Sequence, residues 1–147
     1  IKEIANSDKA YRDLTLTWFK NSQLIETIKK SSELGYKIIL TSDHGMINVF
    51  KPSKISGSKN ISSNMRYKTS DQILAKPKDV IEFKNPNKIK LPSYSINSSF
   101  VFARSNSFFV YPNNYNEYVS MYNNTYQHGG VSMQEMFVPF LVMNPKL

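Results

Sequence analysis

The chain has 147 residues, 40% of them hydrophobic, with 19 Lys and Arg against 11 Asp and Glu and no cysteine. That length fits one domain of ordinary size or a large piece of a bigger one. The lack of cysteine excludes disulfide scaffolds, Cys-rich zinc modules and thiol catalysis. No apolar run approaches the ~18 residues of a membrane span, and no charged-then-apolar leader marks secretion, so we expect a soluble, cytoplasmic domain with no membrane partner.

The first 50 residues predict two helices and a strand. Residues 1–20 predict an amphipathic helix, and a polar break at Ser22 predicts the start of a second helix that Gly35 ends. The apolar side chains at helical spacing in the first helix are Ile1, Ile4, Tyr11, Leu14 and Trp18. A β-rich run over 36–41 follows without alternation at its centre, which is typical of a strand covered on both faces in a parallel sheet. Helix, glycine and buried strand form half of a βαβ unit.

The basic excess lies in one segment. Residues 51–90 hold ten basic against three acidic side chains, which is a net charge of +7 out of +8 for the chain. Such a cluster attracts phosphate on nucleic acid or on a small substrate, and the alternative is a set of solvated lysine-rich loops. The wider segment 51–98 is rich in Ser, Asn, Lys and Pro. It predicts a long excursion with short strands, one of them at 80–83, and poor internal order.

Regular β structure is predicted to return in the last third of the chain. Runs over 99–104 and 108–111 are joined by a short, turn-prone connection and predict a β-hairpin. A short helix is predicted over 117–123. The tail predicts an edge or irregular strand over 137–142, because Pro139 lies inside that run.

The first of the two histidines directly follows the predicted buried strand, in the run Thr41-Ser42-Asp43-His44-Gly45-Met46. In open α/β sheets, ligands bind just beyond the carboxyl ends of strands. A carboxylate and an imidazole there can turn towards one metal ion, while a glycine lets the backbone pass close by. This donor set suits Zn²⁺, with Mn²⁺ as the alternative. The other interpretation is a turn in which Asp43 caps the next element and His44 is solvated.

The second histidine also lies on a glycine bend, in the run Tyr126-Gln127-His128-Gly129-Gly130-Val131-Ser132, and a helical turn is predicted after this run. By itself the run equally describes a loop histidine packed between aromatic side chains. Both histidines of the sequence are therefore placed on glycine turns beside a predicted sheet. The pair is more informative than either motif alone.

These motifs resemble those of a known family. Residues 38–45 resemble the metal-binding strand end of the alkaline phosphatase superfamily, and residues 127–139 are similar to the closing motif of its PglZ branch. Residues 64–68 and 109–115 resemble the PglZ domain of PorX-type two-component response regulators of Bacteroidetes. The resemblance covers essentially the whole chain, and the Asp-His-Gly motif followed by His-Gly-Gly-Val-Ser is its most specific part.

The resemblance implies a three-layer α/β/α sandwich with two zinc ions, which cleaves phosphomonoesters or phosphodiesters through a covalent intermediate on Thr or Ser. It makes Asp43 and His44 ligands of the ion that also holds the nucleophile. It makes His128 a ligand of the other ion, which orients the attacking water. Arg66 and Lys68, from the basic segment, are expected contacts for substrate phosphate, with a solvated loop as the alternative.

The chain departs from the family pattern in ways that affect its activity. The family also needs an Asp and a nucleophilic Thr or Ser on earlier strands, together with an Asp-x-x-x-His pair, and none of these is matched. The chain also begins at Ile1 rather than Met. We therefore expect the C-terminal part of a PglZ domain, inactive alone, made of a helix-helix-strand part (1–50), the basic excursion (51–98) and a closing part (99–147).

The expected partners follow from the same resemblance. They are a phosphate-ester substrate, including a nucleotide or oligonucleotide, and an upstream receiver module with its signalling partners. Two alternatives remain. One is a signalling or nucleic-acid-binding module in which the phosphoesterase fold has lost catalysis. The other is a core that forms an interface and leaves a large hydrophobic face exposed.

Overall fold

The computed structural model describes residues 4–5, 7–57, 64–93 and 95–145. It divides into two compact units, one formed by Ile1–Asp43 with Val138–Leu147 and the other by His44–Phe137. Within the described residues, no helix is long and apolar enough to cross a membrane. The elements in chain order are α1 (Asp8–Asn21), α2 (Gln23–Glu33), β1 (Ile38–Thr41), β2 (Ile47–Val49), β3 (Lys51–Gly57), β4 (Tyr67–Ser70), β5 (Ile73–Ala75), β6 (Val80–Phe83), β7 (Ser99–Ala103), β8 (Ser107–Val110), α3 (Tyr115–Tyr122), β9 (Thr125–Gln127), α4 (Met133–Met136) and β10 (Phe140–Met143).

The two predicted helices of the first unit are confirmed, but the predicted start of the first is wrong, since Ile4 and Ala5 precede the helix. α1 begins at Asp8 because Ser7 is extended and its Oγ accepts a hydrogen bond from the Ala10 N–H at 3.2 Å. Ile1, the first apolar position of the predicted helix, lies outside the described residues. Ser22 is extended and separates α1 from α2. Gly35 has a φ of +83°, the left-handed conformation that commonly follows a helix end.

The expectation for β1 is wrong in its pairing and its burial. β1 pairs antiparallel with β10, so that Ile38 lies opposite Met143 and Thr41 opposite Phe140. Exposed and half-buried residues alternate along β1, and no parallel partner covers it among the described residues. The strand predicted over 137–142 begins at Phe140, since Pro139 has no N–H to give to a ladder.

The described part of the second unit contains three small sheets. Their strand orders are β5-β3-β8, in which β3 and β8 are parallel, the antiparallel β4-β7-β6, and the antiparallel pair β2-β9. The short strands expected in the 51–98 excursion, including the one at 80–83, are confirmed as β3 to β6. Poor internal order is not what its described part shows, because Ile55 and Val80 from this segment are core side chains.

The strands β7 and β8 exist as predicted, but they do not form a hairpin. The residues just before β4 take the hydrogen bonds that a hairpin would use. The Ala103 N–H donates to the Arg66 carbonyl and the Phe109 N–H donates to the Met65 carbonyl, both at 2.8 Å. Each strand then joins a different sheet, because its backbone donors are satisfied by a distant segment rather than by its sequence neighbour.

β8 lies in the core of this unit, and every residue in it is buried. Phe108 and Val110 belong to one hydrophobic cluster with Ile47 and Val49, while Phe109 belongs to a second cluster that includes Ile55. Successive side chains of a strand point to opposite faces, so β8 fills the core on both sides. A continuous apolar strand paired in parallel is found here, rather than at β1.

We expect Phe109→Ala to lower the free energy of unfolding by about 3–5 kcal/mol, because it removes a fully buried aromatic side chain and leaves a cavity. Chemical denaturation followed by circular dichroism measures this change. Leu74→Ala is the matched control, since Leu74 is 73% exposed and its loss should cost no more than about 0.5 kcal/mol. Equal losses for the two variants would contradict the placement of β8 in the core.

Candidate functional site

The second unit brings both histidines together at one end of the β2–β9 ribbon. β2 begins three residues after His44, and β9 ends directly before His128. Ile47 lies opposite Gln127 in this antiparallel pair, so the residues preceding β2 and following β9 meet at the same end. The two imidazole rings stack with centroids 3.8 Å apart and planes 10° from parallel. Both rings are half-buried.

The orientation of the His44 ring indicates its tautomer. His44 Nδ1 lies 2.7 Å from the Gly45 carbonyl oxygen. A carbonyl accepts hydrogen bonds and does not donate them, so we assign the hydrogen to Nδ1. The lone pair of the neutral ring is then on Nε2. An imidazole whose second nitrogen donates to a carbonyl is the usual form of a metal-ligating histidine.

The bend after His44 packs against the backbone of α4. The Gly45 N–H donates to the Glu135 carbonyl at 2.8 Å. A Cβ at position 45 would lie 2.0 Å from the Gln134 carbonyl oxygen, so any side chain there would force the two segments apart. Glycine is therefore required at this position by the close approach of two backbones.

The bend after His128 is held by the side chain of Glu135. Its Oε1 accepts from the Gly130 N–H at 2.9 Å, and its Oε2 accepts from the Ser132 N–H at 3.2 Å and from Ser132 Oγ at 2.6 Å. Ser132 and Glu135 form a capping box at the start of α4. Gly129 has a φ of +99°, and a Cβ at Gly130 would lie 2.6 Å from Glu135 Oε2.

Arg66 completes this network from the end of the chain segment that precedes β4. Its Nε and Nη2 each donate to one carboxylate oxygen of Glu135 at 2.8 Å, and its Nη1 donates to the Ser107 carbonyl. The side chains of Arg66 and Glu135 are 0% and 1% exposed. Burial acts to raise the pKa of Glu135, but hydrogen bonds from Arg66 and Ser132, the Arg66 charge and the Gly130 N–H together lower the pKa below its ordinary value.

The two predicted phosphate contacts are both buried. The Arg66 guanidinium donates its hydrogen bonds to Glu135 and to the Ser107 carbonyl. Arg66 therefore has a structural role in the described fold and does not belong to a basic surface. Lys68 is also 0% exposed, and its Nζ lies 4.9 Å from the centroid of the Tyr111 ring. Burial lowers the pKa of Lys68 from 10.5 to about 8. This geometry does not favour either residue as a phosphate contact, and the solvated-loop alternative does not describe them either.

Of the three residues predicted to bind metal, His44 and His128 lie together. The stacked imidazoles of His44 and His128 are nitrogen donors of the kind that zinc takes. Asp43 is the last residue of the first unit, is exposed, and accepts a hydrogen bond from Ser42 Oγ at 3.4 Å. In the part of the chain that the structure describes, no group of three or more His, Asp or Glu side chains could hold a metal ion. The two imidazoles thus have the right chemistry for zinc, but the described donors are too few for a complete site.

Sequence reasoning missed Glu135, the residue that connects both histidine bends. The signal was present in the sequence as Ser132-x-x-Glu135, the capping-box pattern. Its pairing with Arg66 carries no local signal, because the two residues are 69 positions apart.

The family described as the BREX system PglZ alkaline phosphatase-like domain matches residues 4–143. A search of curated proteins finds no match for the chain.

The burial of Lys68 predicts a pH dependence of stability. The unfolded chain keeps the Lys68 proton up to about pH 10.5, whereas the folded chain keeps it up to about pH 8. Between these values the unfolded state binds more protons, so the contribution of Lys68 to the free energy of unfolding rises with pH, by up to about 3 kcal/mol. Denaturation curves from pH 7 to 11 should show this rise in the wild type relative to Lys68→Met.

Lys54→Met is the matched control for this experiment. Lys54 also lies 4.9 Å from a tyrosine ring centroid, that of Tyr115, but it is exposed. Its variant should follow the wild-type curve. A Lys68→Met curve that runs parallel to the wild type across this pH range would contradict the assignment of a lowered pKa.

Proposed function

The chain belongs to the PglZ family of alkaline phosphatase-like domains, and on that premise we propose that it forms part of a two-zinc phosphoesterase whose substrate is a phosphomonoester or phosphodiester. The observation that carries this proposal is the stacked pair of His44 and His128 on two glycine bends. Each bend is fixed by hydrogen bonds to Glu135, so the imidazoles are held in place before any ligand arrives.

In this proposal the metal ligands are the three residues predicted from the sequence motifs, Asp43, His44 and His128. Asp43 and His44 would hold one zinc ion, the one expected beside the nucleophile, and His128 would hold the second. Two zinc ions would supply charge stabilisation for the entering and leaving oxygens of an in-line displacement. The chain's own contribution is to orient the His44 imidazole with Nε2 available to a metal ion, which the contact of its Nδ1 with the Gly45 carbonyl supports. Manganese is the alternative metal.

We propose that further ligands and the Thr or Ser nucleophile come from another part of a larger three-layer α/β/α domain. The described donors are too few for a complete site. The apolar surface of the first unit supports the same view, since no side chain of the described helices α1 and α2 is buried. Trp18 is 54% exposed, and Phe140 in the two-stranded β1–β10 ribbon is 68% exposed. An isolated apolar ribbon is marginally stable in water, and large apolar patches mark docking surfaces.

Two biological contexts fit this domain. The motif resemblance favours an effector domain of a cytoplasmic response regulator with an upstream receiver module. The family description favours a component of a BREX system. The sequence of the segments adjoining this domain in the parent protein distinguishes them, because a receiver module has its own phosphoacceptor aspartate.

A second function has a specific observation in its favour. Arg66 and Lys68 are buried, and three-ligand clusters are missing from the described residues, as expected of a phosphoesterase fold that has lost catalysis. Such a domain would serve as a signalling or nucleic-acid-binding module. Zinc binding and turnover by the parent protein decide between the two functions.

We expect the parent protein to hydrolyse a chromogenic phosphodiester and the His128→Ala variant to lose at least about 100-fold in kcat/KM. Loss of residues that merely orient a metal ligand already costs about 10–100-fold, and loss of the ligand itself should cost at least as much. Gln127→Ala is the control, because Gln127 is the residue next to His128 but belongs to strand β9 and is not a proposed metal ligand. Its variant should keep the wild-type activity. Equal activity of wild type and His128→Ala would overturn the metal-ligand role.

We expect calorimetric titration to show two tightly bound zinc ions for the parent protein, and weak or no zinc binding for the 147-residue chain alone. The chain alone should also show no turnover. Tight stoichiometric zinc binding by neither protein would remove the metal centre and favour the non-catalytic module.

A further inference from the structure

We infer that the buried Glu135–Arg66 pair is a positioning device that holds the imidazoles of His44 and His128 against each other. Glu135 contacts the bends after both histidines, and it does so with different atoms. Its backbone carbonyl accepts from the Gly45 N–H, and its carboxylate accepts from the Gly130 N–H. One residue of α4 therefore sets the distance between the two bends.

Arg66 holds the Glu135 carboxylate in the orientation in which it accepts from the Gly130 N–H; we call this connection from Arg66 through Glu135 to the bends the tether. The two parallel N–H···O bonds at 2.8 Å define the plane of the carboxylate as well as its distance. The guanidinium is itself anchored, because Nη1 donates to the Ser107 carbonyl in the buried strand β8. The Arg66 backbone N–H donates to Asn64 Oδ1 at 2.7 Å, which fixes the start of the segment. The tether thus runs from the hydrophobic core to the histidine bends.

The packing around the pair leaves little room for a different arrangement. A Cβ at Gly130 would lie 2.6 Å from Glu135 Oε2 and 2.9 Å from Arg66 Nη2. A Cβ at Gly129 would lie 2.7 Å from the side-chain amide of Asn64. The two glycines that follow His128 therefore lie so close to Asn64, Glu135 and Arg66 that neither has room for a side chain. A displacement of the carboxylate has to move the His128 bend, and a displacement of α4 has to move the His44 bend.

The placement of the two rings can be measured without a bound metal. Histidine-labelled NMR of the chain without metal measures it directly. The wild type should show nuclear Overhauser effects between the two rings and upfield ring-current shifts of their carbon-bound protons, because the centroids are 3.8 Å apart. In Glu135→Gln, an amide NH₂ replaces an acceptor oxygen and meets the donors of Arg66 and Ser132. We expect the inter-ring effects to be lost and the shifts to return most of the way to random-coil values.

A double variant separates positioning from folding. Replacing a buried ion pair with apolar side chains of similar volume is often tolerated, so Arg66→Met/Glu135→Leu should fold while lacking the tether to Gly130. Its inter-ring effects should also be lost. Glu135→Asp keeps the charge but withdraws the carboxylate by one methylene, and it should recover part of the ring-current shift. It also serves as the comparison if the double variant does not fold.

Glu117→Gln is the matched control, since Glu117 is an exposed glutamate in the first turn of α3 that contacts Asn114. It should keep all inter-ring effects. Folded Glu135 variants with wild-type inter-ring effects would overturn the positioning role and leave the pair as a stability element. A parent protein that binds no zinc would overturn the proposed metal centre but not this inference, because the NMR measurement contains no metal.

Discussion

The placement of the two histidine bends in the second unit depends on one buried ion pair. Arg66 and Glu135 are both removed from solvent, and the cost of burying two charges is offset only when every hydrogen-bonding group has a partner. Here the carboxylate accepts from Arg66, Gly130 and Ser132, while the guanidinium also donates to the Ser107 carbonyl. Removing one partner would leave an uncompensated buried charge. This constraint connects the core to both histidine bends.

The same segment decides the sheet topology. The carbonyls of Met65 and Arg66 accept hydrogen bonds from Phe109 and Ala103, and so they separate two strands that are adjacent in sequence. β8 then pairs in parallel with β3 and becomes buried on both faces. The segment Met65–Arg66 therefore lies between β7 and β8, where it prevents the expected hairpin and also brings the Arg66 side chain to Glu135. The topology and the ion pair have a common origin.

Two separate observations, the incomplete donor set and the apolar surface of the first unit, support the proposal that this chain is part of a larger domain. The imidazoles of His44 and His128 are stacked, yet the described donors are too few to hold a metal ion. Independently, the helices of the first unit bury no side chain, and the β1–β10 ribbon exposes Phe140. Both observations are accounted for if the remaining ligands and the remaining layers belong to another part of one larger domain.

The sequence by itself determined features that have local causes. The break between the helices at Ser22 and the end of the second helix at Gly35 arise from backbone conformations within a few residues, and the two His-Gly motifs are readable because bends need glycine. The motifs also predicted the family that the comparison bears out. Only the tertiary structure decided the antiparallel pairing of β1, the separation of β7 from β8 and the burial of Arg66. Each of these depends on a partner far away in the chain, as with the 69 residues between Arg66 and Glu135, and local patterns carry no record of such partners.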